Sequence, residues 1–226
     1  MYWFDSSFVI LVPAMLISMY AQFKVKSAFS RFSEVRSVNG YTGAQAARAL
    51  LDSQGLYNVP VEVTAGRLTD HYDPTHRVMR LSHEVFYGTS VASIGVAAHE
   101  TGHAIQHKES YAALSFRNTI FPIVNFSSNA SWIIFIIGIM IKSAGLINLG
   151  ILLFSAVVLF QLVTLPVEFN ASRRALRLLR EKNIIYENEA AGAKAVLDAA
   201  ALTYVAAALM AISQLVRLIL ISRDND

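Results

Sequence analysis

Residues 147–169 read INLGILLFSAVVLFQLVTLPVEF. Ser155, Gln161 and Thr164 are the polar side chains in the body of this run. A helix needs roughly 20 consecutive apolar residues to cross a bilayer, so the run predicts a spanning helix. Its end is unusual, because Pro166 is followed by Glu168, and a carboxylate at that depth is costly unless it is paired or holds a metal.

Working outward, three further apolar runs have the same reach: residues 3–23, 120–141 and 199–221. The second is interrupted early by Asn125, Ser127, Ser128 and Asn129, which either line a packed helix face or push its start toward Ala130. Hydrophobic residues make up 54% of the 226 and charged residues 15%, too apolar a mixture for an ordinary soluble protein. The first run lacks a basic leader and a small-residue cleavage site, which argues against a removable signal peptide. A net charge of +3 gives no reason to expect nucleic acid as a partner. There is no cysteine, so disulfides, thiolate metal sites and cysteine nucleophiles are excluded.

The basic residues orient the spans. Lys24 and Lys26 follow the first run, and Arg173, Arg174, Arg177, Arg180, Lys182 and Lys194 follow the third, whereas the link between the second and third carries Lys142. The positive-inside rule places residues 24–119 and 170–198 together on the cytoplasmic side. Arg217 and Arg223 then fall at the outer end of the fourth span, against the rule.

Residues 24–119 have globular character. Ala46, Ala47, Leu50 and Leu51 recur at helical spacing before Gly55. Residues 59–81 read as short strands with a turn at Asp73-Pro74-Thr75-His76. Ser90 is placed to cap a helix running from Val91 to about His107. The expected architecture is mainly α: a multi-span helical membrane protein with a small α+β cytoplasmic portion, which the motif below makes zincin-like.

On the last of these helices lies His99-Glu100-Thr101-Gly102-His103, the pattern H-E-x-x-H. Residues four apart sit one above the other on a helix, so both imidazoles reach one metal ion. Glu100 lies about 100° round the axis from His99 and about 60° from His103, near enough to take a proton from a metal-activated water without binding the metal itself. A catalytic zinc needs a third protein ligand. His107, one turn on, cannot converge with the other two on a tetrahedral ion from one straight helix. His71, His76 and His83 lie among the strands. Glu168 is the strongest candidate, since two crossings return it to the side that carries the motif.

With these residues in hand, the chain resembles the YugP-like family of bacterial membrane zinc metallopeptidases, related to the HtpX and CAAX prenyl protease gluzincins. The resemblance covers the first span, Leu68-Thr69-Asp70-His71-Tyr72-Asp73-Pro74, residues 99–107, and Glu168-Phe169-Asn170-Ala171-Ser172. It implies one zinc ion per chain held by His99, His103 and Glu168, with Glu100 as general base. The HtpX-type pattern E-x-x-A-D ends on an aspartate that steadies a motif histidine. Here Ser172 stands at that position, with Asn170 or Asp198 as substitutes.

Strand residues 77–81, with Met79 at their centre, either form an edge that pairs with an extended substrate backbone or complete a small sheet. His71 and Tyr72 are candidates to stabilise a developing oxyanion. The resemblance implies an endopeptidase of the cell membrane acting on membrane-associated or misfolded proteins, with the bilayer, and a membrane-protein partner or a second copy, as further contacts. A zinc-stabilised scaffold and a hydrolase of a lipid or non-peptide amide are the alternatives.

Overall fold

The structure is a computed structural model that describes residues 6–223; positions 3–5 of the first apolar run lie outside the described residues. A short 3-10 helix (Ser6–Ile10) leads into α1 (Leu11–Ser33). Then come α2 (Gly43–Ser53), β1 (Val61–Thr64), β2 (His71–Asp73), β3 (Val78–Ser82), α3 (His83–Tyr87) and α4 (Val91–Lys108). Three long helices complete the chain: α5 (Ala112–Met140), α6 (Ala144–Glu181) and α7 (Glu187–Arg223).

The chain divides into two compact units, and α1, α5, α6 and α7 each contribute residues to both. The first comprises the described residues of Met1–Gln22, Ser115–Pro166 and Leu202–Asp226. Four helices are long and apolar enough to cross a membrane, and Ile133, Ile136, Leu152 and Leu162 lie on open surface. A surface so apolar has lipid as its natural solvent. Phe135, Ile147, Phe154, Val158, Ala211 and Leu218 form the core of this unit. Gly150 brings α6 against α5, since a Cβ there would stand 2.8 Å from the Phe135 Cβ; small residues at helix contacts have this use in membranes. The polar residues in the first half of α5 do not break it. Ser128 Oγ and Asn129 Nδ2 donate to the Asn125 carbonyl within the helix, so these two donors are satisfied locally, while Ser127 Oγ is buried without a partner among the described residues.

The second unit comprises Phe23–Leu114 and Val167–Ala201. Thr42 and Gln45 close a capping box on α2. Ser90 accepts from the Ser93 amide and so caps α4. The sheet order is β1-β3-β2, with β1 parallel and β2 antiparallel to β3. This corrects the edge reading of residues 77–81. β3 is the central strand, because residues before β2 fold back as β1 and occupy its other side. Met79 is fully buried there.

Asp73 stiffens the hairpin between β2 and β3. Its carboxylate accepts from the Thr75 and His76 amides and the His76 ring, and pairs with Arg80 at 2.9 Å. These partners hold its carboxyl well below the usual range, the His76 hydrogen bond most of all.

α4 is covered on two sides. Ala92, Ala97 and Ala104 pack toward Met79 and Leu81 of the sheet, while Ile94, Ala98 and Ile105 pack toward Ala175, Leu178 and Leu179 of α6 and Ala193 of α7. A helix apolar on all sides belongs inside a fold, and this one is the axis of its unit. Residues 170–198 are mainly helical, formed by the end of α6 and the start of α7 around a turn near Asn183.

Candidate metal centre

His99 and His103 sit one turn apart on α4, and Glu168 reaches them from α6. The His99 and His103 Nε2 atoms are 3.2 Å apart, and Glu168 Oε2 lies 3.2 Å from the first and 3.4 Å from the second. Metal–ligand bonds of about 2.0–2.1 Å in a tetrahedron put donor atoms about 3.3 Å apart, so the three atoms occupy three corners of one. Among the described residues, this is the grouping of histidines and acids close enough to share an ion. Glu168 is 3% exposed, deep enough that a carboxylate there demands cationic company.

The backs of both imidazoles are held. His99 Nδ1 is 3.1 Å from Ser172 Oγ. His103 Nδ1 is 3.0 Å from Gln106 Oε1, an acceptor, so the proton sits on Nδ1 and the Nε2 lone pair faces the centre. Gln106 is fully buried, and its Nε2 donates to the Val167 carbonyl at 2.8 Å and to Asn170 Oδ1 at 3.0 Å. Asn170 Oδ1 also accepts from Arg174 Nε at 2.7 Å. Asn170 thus reaches His103 only through Gln106. Asp198 takes no part in this network; it is exposed and paired with Lys194.

Gly102 makes the approach of Glu168 possible. A Cβ on it would lie 2.6 Å from the Ala171 carbonyl oxygen, so any side chain would hold α6 away from α4.

Residues 7–223 match the family model described as "Putative neutral zinc metallopeptidase". The chain belongs to that family. A relative, "Putative membrane protease YugP" of Bacillus subtilis (strain 168), is 55% identical over 218 residues, which is 95% of this chain and 97% of that protein. The resemblance drawn from the sequence is thereby upheld. No solved structure matches the chain.

In this zinc metallopeptidase family member, Glu100 sits beside the three converging donors without joining them. It is 8% exposed, and its Oε2 accepts from the Tyr72 amide at 2.9 Å. Burial pushes its carboxyl up to about 7, against the opposing charge of His99. Tyr72 itself belongs to β2, so the free edge of that strand, rather than β3, faces the site. The Tyr72 hydroxyl is 2.9 Å from His107 Nδ1, which gives His107 a partner and fixes the phenol.

The remaining histidines lie apart. His71 is exposed with its Nδ1 at 2.8 Å from the Thr69 carbonyl, His76 pairs with Asp73, and His83 lies against Tyr87. Met79 packs in the core beneath the sheet. Gln106 and Gly102 were not singled out from the sequence. A glutamine three residues beyond His103, on an otherwise apolar helix face, was the available signal for the first. The second had none, because a helical glycine declares its neighbour only after docking.

Proposed function

We propose that this chain is an integral-membrane zinc endopeptidase of the gluzincin type. It holds one Zn2+ per chain on His99, His103 and Glu168 and uses Glu100 as general base. The observation that carries the reading is the convergence of three metal-binding atoms at tetrahedral spacing, with a buried fourth group, Glu100, next to them but outside the set. A zinc-stabilised scaffold has no use for such a carboxylate.

Zinc bound there would supply a Lewis acid that brings the pKa of a water toward 7. The rest falls to the protein. Glu100, with a carboxyl near 7, takes the proton from the attacking water and passes it to the leaving amine as the peptide bond breaks. Ser172 and Gln106 keep the imidazoles oriented throughout. The Tyr72 amide holds Glu100 in place, and the Tyr72 hydroxyl, positioned by His107, is the candidate donor for a developing oxyanion. An extended substrate lies along the free edge of β2, where main-chain hydrogen bonds align it with little side-chain selectivity.

Residues 24–119, the zincin-like portion, and residues 170–198 lie on the cytoplasmic side by their charge. The substrates are membrane-associated or misfolded proteins presented there. The test uses detergent-purified full-length protein, read by zinc content and casein cleavage. Glu100→Gln is expected to keep zinc and lose cleavage by about 10²–10⁴-fold, and Glu168→Ala to lose both. Wild-type protein that binds zinc but turns over a lipid amide and no peptide overturns the substrate class. Glu168→Ala protein that keeps zinc overturns the ligand set.

A further inference from the structure

The first unit contains a cavity of about 430 Å³ among its apolar helices. Its lining is out of character with its surroundings. Gln22, Gln161, Gln214, Ser18 and Thr203 all face it, and among the described residues no acidic, basic or histidine side chain does. Trp132, Phe154 and Met210 form an apolar wall, and Ala206 and Ala207 leave room.

Polar side chains within a span are expensive and turn toward a bundle interior or a polar ligand. Ser18 has spent its hydroxyl proton on the Ala14 carbonyl at 2.8 Å, which leaves its oxygen free to accept. Gln214 is the anomaly. Its Nε2 is buried and has no hydrogen-bond partner among the described residues, a condition that destabilises the fold. Its terminal torsion is soft and broadly two-fold, so a small turn delivers that donor to anything in the cavity.

The lining specifies the guest. Without a charged residue, the cavity offers nothing to a phosphate or choline headgroup. An acyl chain gains nothing from five polar groups. A primary amide presents a donor and an acceptor in one plane, which is the complement of a peptide unit, and three glutamines present three of them. A regular membrane helix keeps its peptide units internally bonded, so only a locally unwound segment exposes them. We infer that this cavity is an accessory site for the neutral, unwound stretch of a membrane-embedded substrate segment, whose peptide groups pair with Gln22, Gln161 and Gln214. The inference rests on the peptidase reading above, since an endopeptidase needs its substrate unwound.

Capture is measured without turnover, in full-length Glu100→Gln protein reconstituted in phosphatidylcholine vesicles. One probe is an apolar spanning peptide with a central Gly-Pro pair beside a photoreactive leucine; a second is the same peptide without the pair; a third is phosphatidylcholine with a photoreactive acyl chain. Mass spectrometry of the irradiated protein maps the labelled residues. The Gly-Pro probe is expected to label the cavity wall at Met210 and Phe154. Adding Gln161→Leu and Gln214→Leu should cut that label about sevenfold, the scale of two lost intramembrane hydrogen bonds. The melting temperature should hold or rise, because the buried orphan amide is gone. Equal cavity labelling by the uninterrupted peptide or by the lipid overturns the inference, as does label that ignores the leucines. If the double variant aggregates, the comparison of the three probes on the Glu100→Gln protein decides alone. Labelling needs no cleavage, so failure here is separable from failure of the zinc and casein test.

Discussion

Glu100 is held at a cost that its own replacement should reveal. Its ordinary value is 4.5, and burial raises it to about 7 in the folded protein. Below pH 4.5 both folded and unfolded chains carry the proton and nothing is lost. As pH climbs through that window the unfolded chain ionises first, so stability falls, by about 3 kcal/mol once pH exceeds 7. Glu100→Gln should therefore raise the melting temperature of chelated protein at about pH 8 and leave it unchanged at about pH 4; an equal gain at both values would show that ionisation is not the cause. Gln106 acts at the same scale. Replacing it with leucine frees His103 to rotate and leaves the Val167 carbonyl without its side-chain donor. Zinc affinity, read by competition with a chromogenic chelator, should fall about 10–100-fold. Ser172→Ala should fall at the lower end of that range, because one hydroxyl serves one ring.

At the scale of elements, the decisive contact is α4 against α6. Gly102→Ala puts a methyl 2.6 Å from the Ala171 oxygen, and overpacking of this kind costs about 1–3 kcal/mol. The centre should suffer more than the fold, since Glu168 sits one turn before the contact. A modest drop in melting temperature with a large loss of bound zinc is the expected pair of results. The helices were legible in the sequence for local reasons: α4 through its Ser90 cap and small apolar residues, α6 through the length of its apolar run, and the two-histidine motif through its spacing. Glu168 was legible because a carboxylate beside Pro166 had no cheap explanation. The place of β3 was not, because the parallel pairing of β1 with β3 joins segments that carry no mutual signal. The chain therefore reveals strands by alternation but not which of them is the edge. The start of α5 is not legible in letters for a similar reason: Ser128 looks disruptive in a string and bonds quietly to the Asn125 carbonyl within the helix.

The whole molecule offers a test of sidedness that its composition makes simple. The chain has no cysteine, so a single introduced thiol reports alone. Tyr57→Cys, in the second unit at a position 75% exposed, should resist a membrane-impermeant maleimide in intact cells and react after permeabilisation. Lys142→Cys, in the turn between α5 and α6, should react in intact cells. The reverse pattern would place the metal centre on the outer face.

The ligand on α6 has a consequence for how the protein is made. His99 and Glu168 are separated by 69 residues of chain. A ribosome that has released everything through α4 has delivered the complete two-histidine motif and no metal centre. The missing carboxylate arrives only with a helix that must first be threaded into the bilayer, and its own turn carries the serine that steadies His99. On the proposed reading a nascent or prematurely terminated chain is therefore inert, and membrane insertion itself completes the centre.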